Sequence, residues 1–239
     1  MTLNQTPHTV SSYDDDLHRL RSLITQMGAL CDAQLTAAID AIAEADAPGA
    51  LAVIGLDAHV DALHAEAEAA AIGILMRHAP LADDLREVVA TLKIAGWLER
   101  AADHAKNIAR RASLLSGLDA AEPSALVANL GAQAKQLLRE ALDAYVDRDE
   151  TRAASVIAHD HKIDGDYLNV FNALLNYTEA HSASLTATTH LQFIAKNFER
   201  IADEATNIAE QVRFTVTGEA VEPRATADTT TPLPLLSAG

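Results

Sequence analysis

Apolar side chains recur at helical spacing along most of the chain. Leu17, Leu20, Ile24, Met27, Leu30, Leu35, Ile39 and Ile42 fall near a 3.6-residue period, which collects them on one helix face. The pattern predicts a first helix over 14–45, and Ala47-Pro48-Gly49 breaks it. A second helix is predicted over 51–78, stopping before Pro80. A third opens at Asp83 and Asp84, where acids suit the positive end of the helix dipole, and runs to Leu115. Ser116-Gly117-Leu118-Asp119 and Glu122-Pro123-Ser124 interrupt the pattern. It then restarts over 125–146, 150–177 and 182–216. Only Arg213–Thr217 reads as a possible short strand, and it directly follows a helical pattern. The predicted fold class is all-α.

The second half repeats the first. A shift of 103 residues brings Gly28 onto Gly131, Leu35 onto Leu138, Asp40 onto Asp143 and Asp46 onto Asp149. The same shift brings Val53 onto Val156, Asp57 onto Asp160 and Asp61 onto Asp164. After a three-residue deletion the shift is 100. Glu99-Arg100-Ala101-Ala102-Asp103 then matches Glu199-Arg200-Ile201-Ala202-Asp203, and Asn107-Ile108-Ala109 matches Asn207-Ile208-Ala209. The expected organisation is two tandem, pseudo-symmetric three-helix bundles over 14–118 and 125–217, with a linker at 119–124. A lone bundle of that size is marginal, so the copies are expected to pack together. Residues 1–13 are expected to be a flexible N-terminus. The tail 218–239, with Pro223, a polar Asp228–Thr231 run, Pro232 and Pro234, reads as disordered.

Composition narrows the function classes. Hydrophobic residues make up 49 % of the 239, enough for a core, while aromatics are 4 % and Gly and Pro number 10 and 7. Alanine, dense over Ala65–Ala71, favours helix because it loses no side-chain entropy there. A formal net charge of −16 repels duplex nucleic acid and suits cations or basic partners. The short basic cluster Lys106, Arg110 and Arg111 reads as one helix face. The single cysteine, Cys31, rules out an internal disulfide or a cysteine-based zinc site, and its place in an apolar-periodic helix makes it a core residue. Met1–Asp16 is polar and acidic, so no signal peptide is expected. No apolar run approaches a membrane span of ~20 residues. The expected location is cytoplasmic.

The candidate chemistry is carboxylate chemistry. Asp57 and Asp61 share one face of the second helix, with Glu68 about three turns on. Glu99, Asp103 and Asn107 form a ladder on the third at i, i+4 and i+8. The second copy carries Asp160 and Asp164 with the ladder Glu199, Asp203 and Asn207. Like charges at this spacing cost a few tenths of a kcal/mol per pair. A single Asp-x-x-x-Asp is ordinarily a solvated face, here with Arg100 and Arg200 as counter-charges. Recurrence at equivalent places in both copies instead points to bound cations. Helices joined by a short turn run antiparallel, so the acidic faces can meet. Oxygen ligands suit hard ions such as Mg²⁺, Mn²⁺, Ca²⁺ or iron and argue against a structural zinc. His64 can join the first site, but its counterpart is Tyr167; His59 and His161 do not correspond to each other, and most of the ten histidines read as surface or satisfied residues. Glu-x-x-His is absent, which weakens a ferritin-like di-iron reading. P-loop, Gly-x-Gly-x-x-Gly and Gly-x-Ser-x-Gly patterns are absent as well. Trp97 reads as a core or interface anchor, since Asn197 replaces it in the second copy.

These motifs in this order resemble the PhoU family of regulators of bacterial phosphate uptake. The resemblance rests on Asp57-x-x-Val60-Asp61, Pro80-x-x-x-Asp84-Leu85-Arg86 and Leu98-Glu99-Arg100-x-x-Asp103-x-x-x-Asn107-Ile108. The second-copy Glu199-Arg200-Ile201-x-Asp203-x-x-x-Asn207-Ile208 and the closing Val216-Thr217-Gly218-Glu219 complete it. Ala102 and Ala202 depart from the family, which commonly has Gly there, in a direction that suits a helix. The resemblance covers about residues 14 to 220 and implies a pair of three-helix bundles. It implies metal ions (iron, zinc, manganese or magnesium) on Asp57, Asp61, Glu99, Asp103, Asn107, Asp160, Asp164, Glu199, Asp203 and Asn207. It further implies a non-enzymatic adaptor, often a homodimer, on the cytoplasmic membrane face. That adaptor couples the ATPase-driven phosphate ABC transporter to a sensor histidine kinase and restrains both when phosphate is plentiful. The alternatives are a metal-dependent hydrolase using an ion to activate water and a helical metal-storage protein.

Overall fold

The computed structural model describes residues 7–44, 46–118 and 120–219. Six α-helices account for nearly all of them: α1 (Pro7–Glu44), α2 (Ala47–His78), α3 (Asp83–Ala112), α4 (Ala121–Asp147), α5 (Glu150–Ala180) and α6 (Leu185–Thr217), with a 3₁₀ turn at Ser182–Ser184. The all-α class holds, and Arg213–Thr217 continues α6 rather than forming a strand. The predicted disordered tail lies outside the described residues apart from its first two.

Caps set the helix ends, which the apolar pattern alone placed a few residues off. Asp46 caps α2 by accepting the Gly49 N–H at 3.1 Å, and Asp149 caps α5 by accepting the Arg152 N–H at 3.0 Å. This pair, matched by the repeat, is therefore a shared helix start. Residues Ala79 and Arg148 end α2 and α4 in the left-handed conformation, and Gly218 ends α6 at φ 75°. Helix α1 starts at Pro7, seven residues before the predicted start, so part of the expected flexible lead is helical. Tyr13 there stacks edge-on against His78 at 5.4 Å, and Asp16 meets His78 at 3.0 Å and Arg77 at 3.1 Å. Those contacts tie the extra turns to the end of α2. Helix α4 likewise begins inside the expected linker, at Ala121, with Pro123 tolerated in its first turn.

Within the first half α1, α2 and α3 pack against one another, and α4, α5 and α6 do the same in the second. The halves join through α3 against α6 and α1 against α4, while α2 and α5 stay on the outside. One continuous core runs through both halves. The inner helices bury broad faces: Ile94, Leu98, Ala101, Ala105 and Ile108 on α3, and Ile194, Phe198, Ile201, Ala205 and Ile208 on α6. The outer α2 buries a narrow stripe, Val53, Val60, Ala67, Ala71 and Ile74. Its polar flank is thus left beside α3, where the acidic residues stand. Cys31 is fully buried, donates to the Leu98 carbonyl at 3.3 Å, and has its thiol pushed up to about 12 by burial.

Candidate metal centres

The first acidic cluster joins α2 to α3. Lys106, on α3 one turn beyond Asp103, donates to Asp57 Oδ2 at 2.5 Å and also to Asp103 Oδ1. Burial opposes the charge on Lys106, but those two hydrogen bonds outweigh it and hold its pKa above the usual lysine value. Glu99 faces the same group. Burial raises its carboxyl above the ordinary glutamate value, Asp103, Asp61 and Asp57 raise it further, and His64 opposes them. Asp57, Asp61, Glu99 and Asp103 thus share one electrostatic field. The counter-charge of Asp57 and Asp103 is Lys106, not Arg100, which instead reaches toward Glu204 at 4.0 Å across the α3–α6 seam.

The second cluster joins α5 to α6 and is built differently at the same places. Thr206 stands where Lys106 does; fully buried, it donates to Asp160 Oδ1 at 2.9 Å. Asp160 is itself buried. Asp160, His161 and Asp164 can bring one ligand atom each to within 4.8 Å of one another. Burial raises the Asp164 carboxyl, with Asp160 and Glu199 adding to the shift and His161 and Lys196 opposing it. Lys196 forms an ion pair with Glu199 Oε2 at 2.6 Å and lies 5.3 Å from the centre of the Tyr167 ring. Asp203 is half-buried one turn from Glu199 on α6. The counter-charge again differs from the expected Arg200.

Asn107 and Asn207, predicted with the ladders, line two clefts of the α3–α6 seam. Asn207 donates to Glu204 Oε2 at 3.1 Å. Sequence reasoning missed three participants. Lys106 was legible as a cation three residues from Asp103. Lys196 sits three residues before Glu199. His161 stands three residues before Asp164, a spacing that places both on one helix face.

Chemically, each centre is a partly buried set of oxygen donors at the seam between an outer and an inner helix. In the second, the imidazole of His161 adds a nitrogen donor. A duplicated three-helix bundle with a carboxylate cluster in each copy is the class that the fold and geometry define. The PhoU domain profile matches residues 24–112 and 127–212, once per copy, and the chain belongs to that family. It is 43 % identical over 217 residues to a phosphate-specific transport system accessory protein PhoU homolog of Zymomonas mobilis, covering 91 % of this chain and 92 % of the relative. A homolog of the same description from Caulobacter vibrioides is 42 % identical, over 90 % and 94 % of the two chains. Among solved structures, PhoU from Pseudomonas aeruginosa superposes with a TM-score of 0.83 at 30 % identity, covering 87 % of this chain and all of that one. The phosphate transport system regulatory protein PhoU from Streptococcus pneumoniae gives 0.81 at 26 % identity, over 88 % of this chain.

Proposed function

We propose that this chain is a non-enzymatic accessory regulator of a phosphate-specific transport system. The observation that carries the reading is the 43 % and 42 % identity, over 91 % and 90 % of this chain and across both copies of the repeat, to relatives that bear this description. On this reading it acts as a homodimeric adaptor at the cytoplasmic membrane face. Its partners are the ATPase subunit of the phosphate ABC transporter and a sensor histidine kinase, which it restrains when phosphate is plentiful. No described helix is long and apolar enough to cross a membrane, which is compatible with peripheral docking. Removing the chain from its host should raise phosphate uptake and starvation-gene expression in phosphate-rich medium. Unchanged uptake and expression would sink the regulatory reading, and failure to copurify with the transporter ATPase would sink the adaptor.

The acidic clusters are proposed as metal centres within that role. The second fits a cation best: Asp160, His161 and Asp164 converge, and burial with mutual repulsion leaves Asp164 short of counter-charge. A carboxylate–imidazole donor set suits manganese, iron or zinc better than magnesium. A bound ion supplies positive charge to these α5 donors, beside Glu199 of α6. In the first cluster the ammonium of Lys106 already performs that service for Asp57 and Asp103. The chain should therefore bind metal more strongly through its second half. Elemental analysis by mass spectrometry of the parent, beside Asp57→Ala with Asp61→Ala and beside Asp160→Ala with Asp164→Ala, tests this. Metal should fall chiefly in the second pair. Absence of metal from the parent after incubation with Mn²⁺, Fe²⁺ and Zn²⁺ would refute it.

A further inference from the structure

The duplication also creates two equivalent clefts along the α3–α6 seam, and they have diverged in charge. One is formed by the start of α3 and the end of α6, with Lys93, Gly96, Arg100, Asn207, Glu210 and Gln211, and α2 adds Glu68. The other is formed by the end of α3 and the start of α6, with Asn107, Arg110, Arg111, Phe193, Lys196 and Arg200. Each encloses about 570 Å³. The repeat shift of 100 maps Arg110 onto Glu210, Arg111 onto Gln211, Lys196 onto Gly96 and Arg200 onto Arg100. In the first cleft Lys93 and Arg100 are balanced by Glu68 and Glu210. In the second, four cations line the wall and no acid does.

Such a cleft is out of character for a chain of net charge −16. Among the described residues, Arg110, Arg111 and Arg200 have no carboxylate within 4.0 Å, and Lys196 alone is paired, with Glu199 at 2.6 Å. The Arg111 guanidinium lies 3.9 Å from the centre of the Phe193 ring. That stacking fixes a planar fork of N–H donors at the cleft. Arg110 and Arg111 also end α3, where their charge complements the helix dipole. The dipole accounts for two cations on α3 but not for two more facing them from α6.

We propose that the cleft between the end of α3 and the start of α6 binds a soluble phosphate-bearing small molecule with two or more phosphate charges. Arginine forks match phosphate oxygens bidentately, and three arginines without a carboxylate partner lining one cleft suit more than one phosphate charge. Phe193 and Leu114 give the cleft an apolar edge for the rest of such a ligand. The assignment does not depend on metal in the carboxylate clusters or on the regulatory reading.

The test is calorimetric titration of the full chain with tripolyphosphate, ATP and inorganic phosphate. It is run after chelator treatment, so that no ion on the acidic clusters can supply the contact. Tripolyphosphate and ATP should bind more tightly than inorganic phosphate, and added salt should weaken all three. Arg110→Glu with Arg111→Gln installs the residues that the sister cleft carries on its own helix. This variant should weaken binding by about tenfold or more, and Arg200→Gln on the facing helix should weaken it by several-fold. Lys93→Gln with Arg100→Gln in the sister cleft should leave it unchanged. The proposal is overturned if the parent binds neither tripolyphosphate nor ATP, or if Arg110→Glu with Arg111→Gln and Arg200→Gln both bind like the parent. It is equally overturned if the sister-cleft variant loses as much, or if only phosphatidylglycerol vesicles bind, which would make the cleft a headgroup contact.

Discussion

The two acidic clusters occupy the same places in a repeated fold, yet they solve the same electrostatic problem by different means. In the first, the lysine at 106 brings an ammonium between Asp57 and Asp103. In the second, the threonine at 206 offers Asp160 one neutral donor, and the ammonium comes from Lys196, bound to Glu199 on the far side. Burial, with repulsion from Asp160 and Glu199, raises Asp164, and His161 and Lys196 oppose the shift without cancelling it. Duplication preserved the carboxylates while the counter-charges drifted. The lesson is that equivalent acidic rows need not be equivalent sites: the residue one turn away decides how much charge is left for a ligand.

The repeat-matched glycines give the largest test of how far the halves differ. A Cβ on Gly131 would lie 2.4 Å from Cζ of Phe198, a fully buried ring, whereas one on Gly28 would meet the movable end of Leu142 at 2.8 Å. Gly131→Ala should therefore destabilise by about 2 kcal/mol, the usual scale of overpacking, lowering the melting temperature by ~4–8 °C. Gly28→Ala should be near neutral, because gained helix propensity of about 1 kcal/mol offsets a small shift of Leu142. Adding Phe198→Leu, which installs the residue found at Leu98, should rescue Gly131→Ala. Equal losses in the two glycine variants on thermal unfolding would remove the distinction.

Exchanging the donors tests the clusters themselves. Lys106→Thr leaves Asp57 and Asp103 without their ammonium and should destabilise the chelated protein by about 1 kcal/mol. If the metal reading holds, the same change raises metal uptake by the first half, and Thr206→Lys lowers it in the second. Unaltered metal content in both would separate the lysine from cation binding.

The smallest effect concerns pH. The Asp164 carboxyl is raised above its ordinary 3.8, so the folded state holds its proton more tightly than the unfolded chain. Its contribution to stability is therefore lost as pH rises above 3.8 through the raised value. In chelated protein, Asp164→Asn should be more stable than the parent by a few tenths of a kcal/mol near neutral pH. The gap should narrow toward the acid end. Denaturant unfolding across that range reads it, and a gap that widens on acidification would reverse the assignment.

Six helices, their order and the duplication were legible because they rest on local periodicity and on identities within one chain. So were the acidic rows: a spacing of four fixes Asp57 with Asp61, and Glu99 with Asp103, on one face whatever surrounds them. Helix ends were less legible, since caps such as Asp46 and contacts such as Tyr13 on His78 lie outside the apolar pattern. What crosses between helices was legible only in outline, as acidic faces that meet between antiparallel neighbours, and not as particular partners. The sequence by itself determined the helices and which carboxylates share a helix face. Only the tertiary structure decided that Thr206 serves Asp160, that Lys106 serves Asp57, and that four cations from α3 and α6 line one cleft. The physical reason is that neighbours along a helix follow from its 3.6-residue turn, whereas neighbours across helices depend on the rotation and stagger that core packing imposes.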